Sequence, residues 1–350
     1  MNNNQKKEKI MNKINKLGVS ALCGSLAAIS AANAGDLTVT GGADMTWMSK
    51  SGQVTGNPIG IGSNLTFAGS GELDNGWTFD LSVAMTNQDA YSNTNVTVGV
   101  PGVGDFRISQ GVSGSGIDRI DDVTPNVWEE AYAVGVGAGL NTVGGVSAGT
   151  NIEWTPSMLP DGLTGRISYS PDAGGSKAAD KASAASAASG PKGSGWDVTL
   201  EATDGIHGVA GLTVWAGMSE TAQDDTIATY SGDVEESTFA VKYAMGGFTV
   251  GYQWSEEDLG KSSGAKQYEN EGYGITFNVN DDLSIGYNNY ESEQLSGTTY
   301  TTMEASSIQV AYSVGGASIR LAEGDVDNSA YQTATSYDQS GTLLSVSLAF

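Results

Sequence analysis

The chain is a series of short segments in which apolar and polar residues alternate. Residues Trp77–Met85 read W-T-F-D-L-S-V-A-M, so the aromatic and aliphatic side chains share one face and the polar side chains the other. A period of two residues is the pattern of a β-strand, since successive side chains point to opposite faces. The same alternation recurs along the chain from residue 37 to the end. The pattern therefore predicts an all-β protein.

About sixteen such segments are predicted, an even number that suits a closed bacterial barrel. Their second face carries Thr, Ser, Asn, Asp, Gln, Lys and Gly, which is too polar for the interior of a soluble sandwich. A half-exposed soluble sheet also alternates, so the prediction depends on the whole series. We expect the apolar face to meet lipid. The strands are predicted near 37–48, 59–70, 76–86, 94–100, 104–110, 144–155, 161–170, 195–203, 207–218, 236–246, 247–256, 269–280, 281–292, 303–314, 315–324 and 341–350.

The connections between these segments alternate between short and long. Outer-membrane barrels have short periplasmic turns and long external loops, so this order places both ends of the chain on the periplasmic side. The longer connections, predicted to be external, are 49–58, 87–93, 111–143, 171–194, 219–235, 257–268, 293–302 and 325–340.

The first 34 residues have the features of a secretory signal peptide. Five lysines precede an apolar stretch from Leu17 to Ile29, and Ala32-Asn33-Ala34 fits the small-x-small rule for cleavage. A membrane anchor would need about 20 apolar residues to cross the hydrocarbon layer, and this stretch is shorter. We expect residues 1–34 to be removed and residues 35–350 to form one transmembrane barrel domain.

Composition excludes several classes of function. Without residues 1–34, which hold five lysines and one glutamate, the net charge changes from −24 to −28, with 11 basic and 39 acidic residues. Nucleic-acid binding needs clustered cations, so it is excluded. The one cysteine, Cys23, lies in the signal peptide, which leaves the mature chain without disulfides or thiolate sites.

Enzymatic chemistry lacks its usual groups. His207 is the only histidine and falls in a predicted periplasmic turn, far from any external serine. Carboxylate pairs such as Asp224-Asp225 and Glu256-Glu257 could gather Ca²⁺, but none follows a calcium-loop spacing, so surface solvation is the default and bound Ca²⁺ is not predicted. We expect neither an enzyme nor a cofactor.

Three sequence stretches resemble a known family. The chain ends L-L-S-V-S-L-A-F, like the last strand of outer-membrane proteins, and the stretches S-G-E-L-D-N-G-W-T-F and D-D-V-T-P-N-V-W-E-E resemble the general porins of alphaproteobacteria. The resemblance implies a homotrimer of sixteen-stranded barrels in the outer membrane of a Gram-negative bacterium. It also implies that the barrel-assembly machinery reads Phe350, and that the third loop, residues 111–143, folds into the lumen and narrows the pore.

Two sets of charged residues are predicted to line that pore. The third loop carries five acids. The alternative interpretation is that they are ordinary solvated charges of an acidic loop. Four basic residues lie near mid-strand on the polar face, and a cation on the lipid face would cost about 2–4 kcal/mol at mid-depth, so we expect them to point into the lumen. The acids are Asp118, Asp121, Asp122, Glu129 and Glu130, and the basic residues are Arg107, Arg166, Lys242 and Arg320.

The sequence therefore predicts a passive pore for small hydrophilic solutes and ions, with a moderate preference for cations. A substrate-specific porin is the first alternative and would show a lumen ladder of aromatic residues or charges of one sign. An acidic structural or adhesive surface protein is the second, and it would show a fixed repeat period.

Overall fold

The polar and apolar alternation of the sequence is realised as a single antiparallel sheet that closes on itself. The computed structural model describes residues 37–51, 57–87, 92–111, 114–174, 192–224 and 226–349. Each strand pairs with its neighbours in sequence, and β1 pairs with β16, which gives a closed barrel of sixteen strands. The predicted fold class and strand number are confirmed.

The strands differ in length around the barrel. β3 to β7 have 6–9 residues, whereas β12 to β14 have 14–16. The strands are β1 Thr38–Ser51, β2 Ile59–Glu72, β3 Thr78–Thr86, β4 Asn93–Val100, β5 Gly104–Gly111, β6 Asn151–Pro156, β7 Leu163–Ser170, β8 Lys192–Ala202, β9 Leu212–Gln223, β10 Val234–Met245, β11 Phe248–Asp258, β12 Ala265–Asn278, β13 Leu283–Ser296, β14 Thr299–Val314, β15 Ala317–Asp327 and β16 Gln339–Ala349.

Apolar side chains face outward and polar side chains face the interior. On β11, Phe248 and Val250 are exposed on the outer wall, whereas Gln253 and Ser255 on the other phase are buried. An exposed apolar surface of this extent is stable only against lipid, because burying it removes apolar area from water. Within the described residues, no helix is long and apolar enough to span a membrane.

Pairing of the first and last strands closes the barrel. Met45 lies opposite Val346 and Trp47 opposite Leu344, so the seam is apolar on its outer side. On the inner side Arg320 of β15 reaches Asp44 of β1, with 2.6 Å between Nη2 and Oδ2. Closure leaves no unpaired backbone edge in lipid, where each unsatisfied group would cost several kcal/mol.

Two predicted strands were misplaced. β6 begins at Asn151 rather than at 144, and the connection before it spans 112–150, longer than the predicted 111–143. The alternation of apolar and polar residues extends back from β6 to Val146, but the backbone N–H groups of Gly144, Gly145 and Val146 bond to side chains rather than to a neighbouring strand. β9 begins at Leu212 rather than at 207.

The start of β9 is displaced by a helical turn at Asp204–His207, which Gly208 ends with a positive φ of 73°. His207 lies in this turn between β8 and β9, as predicted. The prediction of a long loop at 293–302 was also wrong. β13 and β14 continue through this range and leave only residues 297–298 as a turn. The predicted signal peptide, most of loop 171–194 and Phe350 lie outside the described residues.

Candidate functional site

The connection between β5 and β6, here called the third loop, spans residues 112–150 and is described from Gly114 onward. Its contacts with the barrel are made with the polar phase of the wall. The N–H of Val123 donates to Gln253 of β11, and the N–H of Trp128 donates to Gln309 of β14. Asn288 of β13 donates in turn to the carbonyl of Glu129. The loop therefore packs along the inner wall from β8 to β16, comes close to Met48 of β1 at Gly135, and returns to β6.

Four carboxylates on the inner wall bind polar N–H groups of this loop. A buried backbone N–H needs an acceptor, and a carboxylate is a strong one. None of these acids was predicted from the sequence. The bonds run from Gly116 N–H to Glu153, from Ile117 and Val146 N–H to Asp197, from Gly144 and Gly145 N–H to Glu236, and from the Asn141 side-chain amide to Glu257.

Replacing Asp197 by alanine is expected to loosen the third loop, because two buried N–H groups then lose their acceptor at about 1–3 kcal/mol each. Asp197 is fully buried and joins the outgoing arm at Ile117 to the returning arm at Val146. Trypsin cleavage after Arg119 in folded protein should become faster, and the single-channel current should become noisier. The turn variant Asp161→Ala is the control. Equal trypsin resistance in both variants would contradict this role of Asp197.

Apolar contacts hold the tip of the third loop. Val134 and Val136 are 1% exposed and pack in one buried cluster with Met303, Ala322 and Val326 of the upper barrel wall. Full burial of a valine side chain contributes about 1.5–3 kcal/mol. The hydrogen bonds and this cluster together fix the loop against the wall.

The third loop covers only part of the inner wall. Among the described strand residues, buried polar side chains lie on β5 to β14 and on β16, and none lie on β1 to β4. The inward side chains of that uncovered sector include Asp44 and Thr46 on β1 and Asp80 on β3, which are partly or fully exposed. Space for a solute is thus left between the third loop and β1–β4.

The five predicted loop acids come together in one cluster. Asp122 interacts electrostatically with Asp118, Asp121 and Glu130, and Glu129 hydrogen-bonds with Glu130. Asp122 is exposed, whereas Glu130 is buried and accepts a bond from the Asn126 amide at 2.5 Å.

Burial changes the ionisation of three of these acids. Burial, with repulsion from Asp122 and Asp118, raises the pKa of Asp121 to about 8. Burial and a hydrogen bond with Glu129 raise the pKa of Glu130 to about 9. Burial also raises the pKa of Asp118. A carboxyl group whose pKa lies above the ambient pH is mostly protonated and uncharged. Asp121 and Glu130 therefore carry little charge at neutral pH.

The four predicted basic residues all lie on the polar phase, where they contact polar groups or aromatic rings. Arg107 donates to Asn95 and to the carbonyl of Gly114, and Arg166 lies 3.8 Å from Glu201. Lys242 lies over the ring of Trp215, 5.1 Å from its centroid, and Arg320 lies over Trp128 of the third loop at 4.8 Å.

One further arginine belongs to this set. Arg119 of the third loop binds Glu153 with 2.5 Å between Nη2 and Oε1. It lies within electrostatic range of Arg107 and Arg166, so three guanidinium groups gather beside β5–β7. Arg119 was not predicted from the sequence, since a loop residue has no strand phase that assigns its direction. Among the described residues, no group of three or more histidine, cysteine or acidic side chains is arranged to hold a metal ion. The expectation of no cofactor stays a prediction.

A closed sixteen-stranded antiparallel barrel with an apolar outer face and a polar inner face is the architecture of an outer-membrane β-barrel. The model of the Gram-negative porin family matches residues 18–350, and the chain belongs to that family. It is thus an outer-membrane pore protein of a Gram-negative bacterium. The predicted family and location are confirmed.

Solved porin structures share the fold. The anion-selective porin from Comamonas acidovorans matches with a TM-score of 0.64 and 13% identity over 90% of this chain and 99% of that chain. OmpF of Salmonella typhi, in complex with daunomycin, gives 0.64 and 14% over 90% and 97%. OmpT of Vibrio cholerae in its trimer form gives 0.61 and 12% over 90% and 99%. A comparison with curated proteins gave no match.

Proposed function

We propose that this porin is a general diffusion pore for small hydrophilic solutes and ions, acting without a chemical step. The observation that carries the proposal is the polar passage between the third loop and β1–β4, where the described strands hold no buried polar side chain. The third loop narrows this passage, and its acid cluster forms one side of the constriction. Solutes pass by size and charge.

The same constriction is moderately cation-preferring. Asp122, which is exposed, and Glu129, which is half-buried, lie on the loop side. On the uncovered wall Asp80 is exposed, whereas Asp44 is paired with Arg320. Charges at a constriction act strongly because an ion passes within a few ångströms of them and the low-dielectric wall focuses the field. The basic residues of β5–β7 limit the preference, so anions are not excluded.

A homotrimer would shield from lipid the part of the barrel wall in which the strands are shortest, β4 to β7. An eight-residue strand tilted by about 45° spans roughly 19 Å, less than the ~25 Å apolar band of an outer-membrane barrel. β4, β5 and β7 have 8 residues each, and β6 has 6. We infer that this sector faces the other subunits rather than lipid. OmpT, one of the similar structures, is described in a trimer form.

Processing and assembly follow from the two ends of the chain. We infer that the signal peptide is cleaved after Ala34 and that the barrel-assembly machinery reads the last strand with Phe350. The outward row of Leu344, Val346 and Leu348 on β16 meets β1 at the seam, where it completes the apolar outer wall.

A substrate-specific porin is less well supported. Such a lumen would offer free aromatic faces to a sugar, yet Trp215 is covered by Lys242 and Tyr290 is only 3% exposed beneath the third loop. The alternative of an acidic repeat protein does not agree with a closed barrel or with the porin family.

Liposome swelling tests the general pore. With purified protein in vesicles, uncharged sugars should enter at rates that fall steeply with molecular size and rise linearly with concentration. Stereoisomers of equal size should enter at equal rates, because selection is by dimension alone. Saturation at millimolar sugar, or a strong preference between isomers, would contradict general diffusion and favour a substrate-specific porin.

A further inference from the structure

Three inward-facing glycines lie where the third loop touches the middle of the wall. Gly251 of β11 pairs directly with Gly274 of β12, and Gly286 of β13 lies on the next strand. All three face the lumen, on the same phase as Gln253 and Asn288, which bind the third loop. Glycine within a strand often marks a place where another part of the backbone comes close.

Loop residues Pro125–Val127 fill the space that the missing side chains leave. A methyl group built on Gly251 would lie 2.5 Å from Cδ of Pro125, and one on Gly286 would lie 2.6 Å from Cγ2 of Val127. A methyl group on Gly274 would overlap the carbonyl group of Pro125 itself. Because separations below 3.0 Å do not occur for real Cβ atoms, the loop would have to move.

We propose that Gly251, Gly274 and Gly286, here called the wall glycines, set the width of the pore. They let the loop backbone lie flush with the wall, so that the acid cluster stands as far as possible from β1–β4. Pro125–Val127 lies between Asp122 and Glu129 in sequence, and a shift of this segment carries both carboxylates with it. This inference rests on the proposed function, in which the third loop forms the constriction.

The direction of the displacement follows from the packing. The strands behind the wall glycines are held by ladder bonds on both sides, from β10 to β14. The loop is held by hydrogen bonds to wall side chains, by apolar contacts and by a backbone bond from the Ala330 N–H to the carbonyl of Ala138, and none of these is a strand ladder. On its other side lies the open passage. Side chains at these positions therefore push the loop toward β1–β4 and narrow the pore.

Single-channel recording of the alanine variants tests the proposal. Gly251→Ala, Gly274→Ala and Gly286→Ala are each expected to lower the conductance in KCl by roughly a third to a half, since conduction depends on pore diameter. The largest neutral polyethylene glycol that reduces the current should become smaller in each variant. Gly69→Ala on β2 is the control, because a methyl group there meets nothing within 4 Å.

A compensating substitution keeps the test decisive if Gly274→Ala does not form stable trimers. Val127→Ala removes the methyl group that a side chain at position 286 would meet, so the double variant Gly286→Ala, Val127→Ala should regain most of the lost conductance. Wild-type conductance in Gly286→Ala, a raised conductance in any wall-glycine variant, or no recovery in the double variant would overturn the proposal. If the wild-type protein forms no pores, the proposed function fails instead.

Discussion

Replacing Asp121, Asp122, Glu129 and Glu130 together by their amides should remove most of the cation preference of the pore. The four changes remove four of the five acids of the third-loop cluster while leaving side-chain size almost unchanged, and Asp118, Arg107, Arg119 and Arg166 remain. In a KCl gradient, the reversal potential should shift to zero or to the anion side. The conductance should change less than about twofold, because the pore diameter that governs conduction stays nearly the same.

A control in which four carboxylates far from the third loop are replaced separates this local effect from net charge. Asp161, Asp204, Asp281 and Asp282 are exposed in turns outside the strands. Ions are screened from charges beyond a Debye length of about 8 Å at physiological salt, so changing these four to asparagine should barely move the reversal potential. An unchanged reversal potential in the loop variant would show that residues 114–150 do not line the constriction. Equal shifts in both variants would point to net charge alone.

The cation preference of the unmodified pore should also rise with pH. The pKa of Asp121 is raised to about 8 and that of Glu130 to about 9. Both groups hold a proton below these values, and each adds one negative charge as the pH rises through its pKa. Between pH 6 and pH 9.5 the reversal potential should therefore move further to the cation side, with most of the change above pH 7.

The double variant Asp121→Asn, Glu130→Gln provides the matched test. It lacks the two groups that are protonated at pH 6, so its selectivity there should equal that of the unmodified pore. Its reversal potential should stay nearly flat up to pH 9.5, because the titrating carboxyl groups are gone. A pH dependence as large in this variant as in the unmodified pore would assign the titration to other groups.

The barrel itself could be predicted from the sequence because apolar and polar residues alternate within each strand, and this alternation assigns the two faces of the strand. Phe248, Val250 and Tyr252 alternate with polar residues whatever the neighbouring strand is, so local pattern alone assigns β11. The prediction failed at β6, where the alternation extends back to Val146 but the N–H groups of Gly144, Gly145 and Val146 bond to the side chains of Glu236 and Asp197. Alternation specifies an extended backbone, and it does not specify what that backbone pairs with.

The candidate site was only partly predictable. Arg107 and Arg166 could be assigned to the lumen because an outward cation is costly, and the same rule would have found Glu153 and Asp197, which lie between outward hydrophobic residues. That rule predicts the direction in which a charged side chain points, but it does not predict the group that the side chain binds. The N–H that Asp197 accepts from Ile117 lies 80 residues away in the chain, so only the folded barrel shows that these acids hold the third loop.

The role of the wall glycines and the protonation of the buried acids could not be predicted from the sequence for a related reason. Gly274 is one of 49 glycines, and nothing in its neighbourhood of the sequence distinguishes it from Gly69. Likewise Asp121 and Asp122 are adjacent and chemically identical. Their difference in burial comes from the packing of the third loop against β10–β14, which the order of residues does not display.

The most direct test of the pore as a whole is single-channel recording of the purified, mature protein in a planar bilayer. The structure predicts stepwise and ohmic conductance, events in groups of three from a trimer, and a reversal potential on the cation side at pH 7 that stays short of the ideal K⁺ value. Absence of conductance steps from correctly folded protein, or a reversal potential on the anion side, would contradict the account.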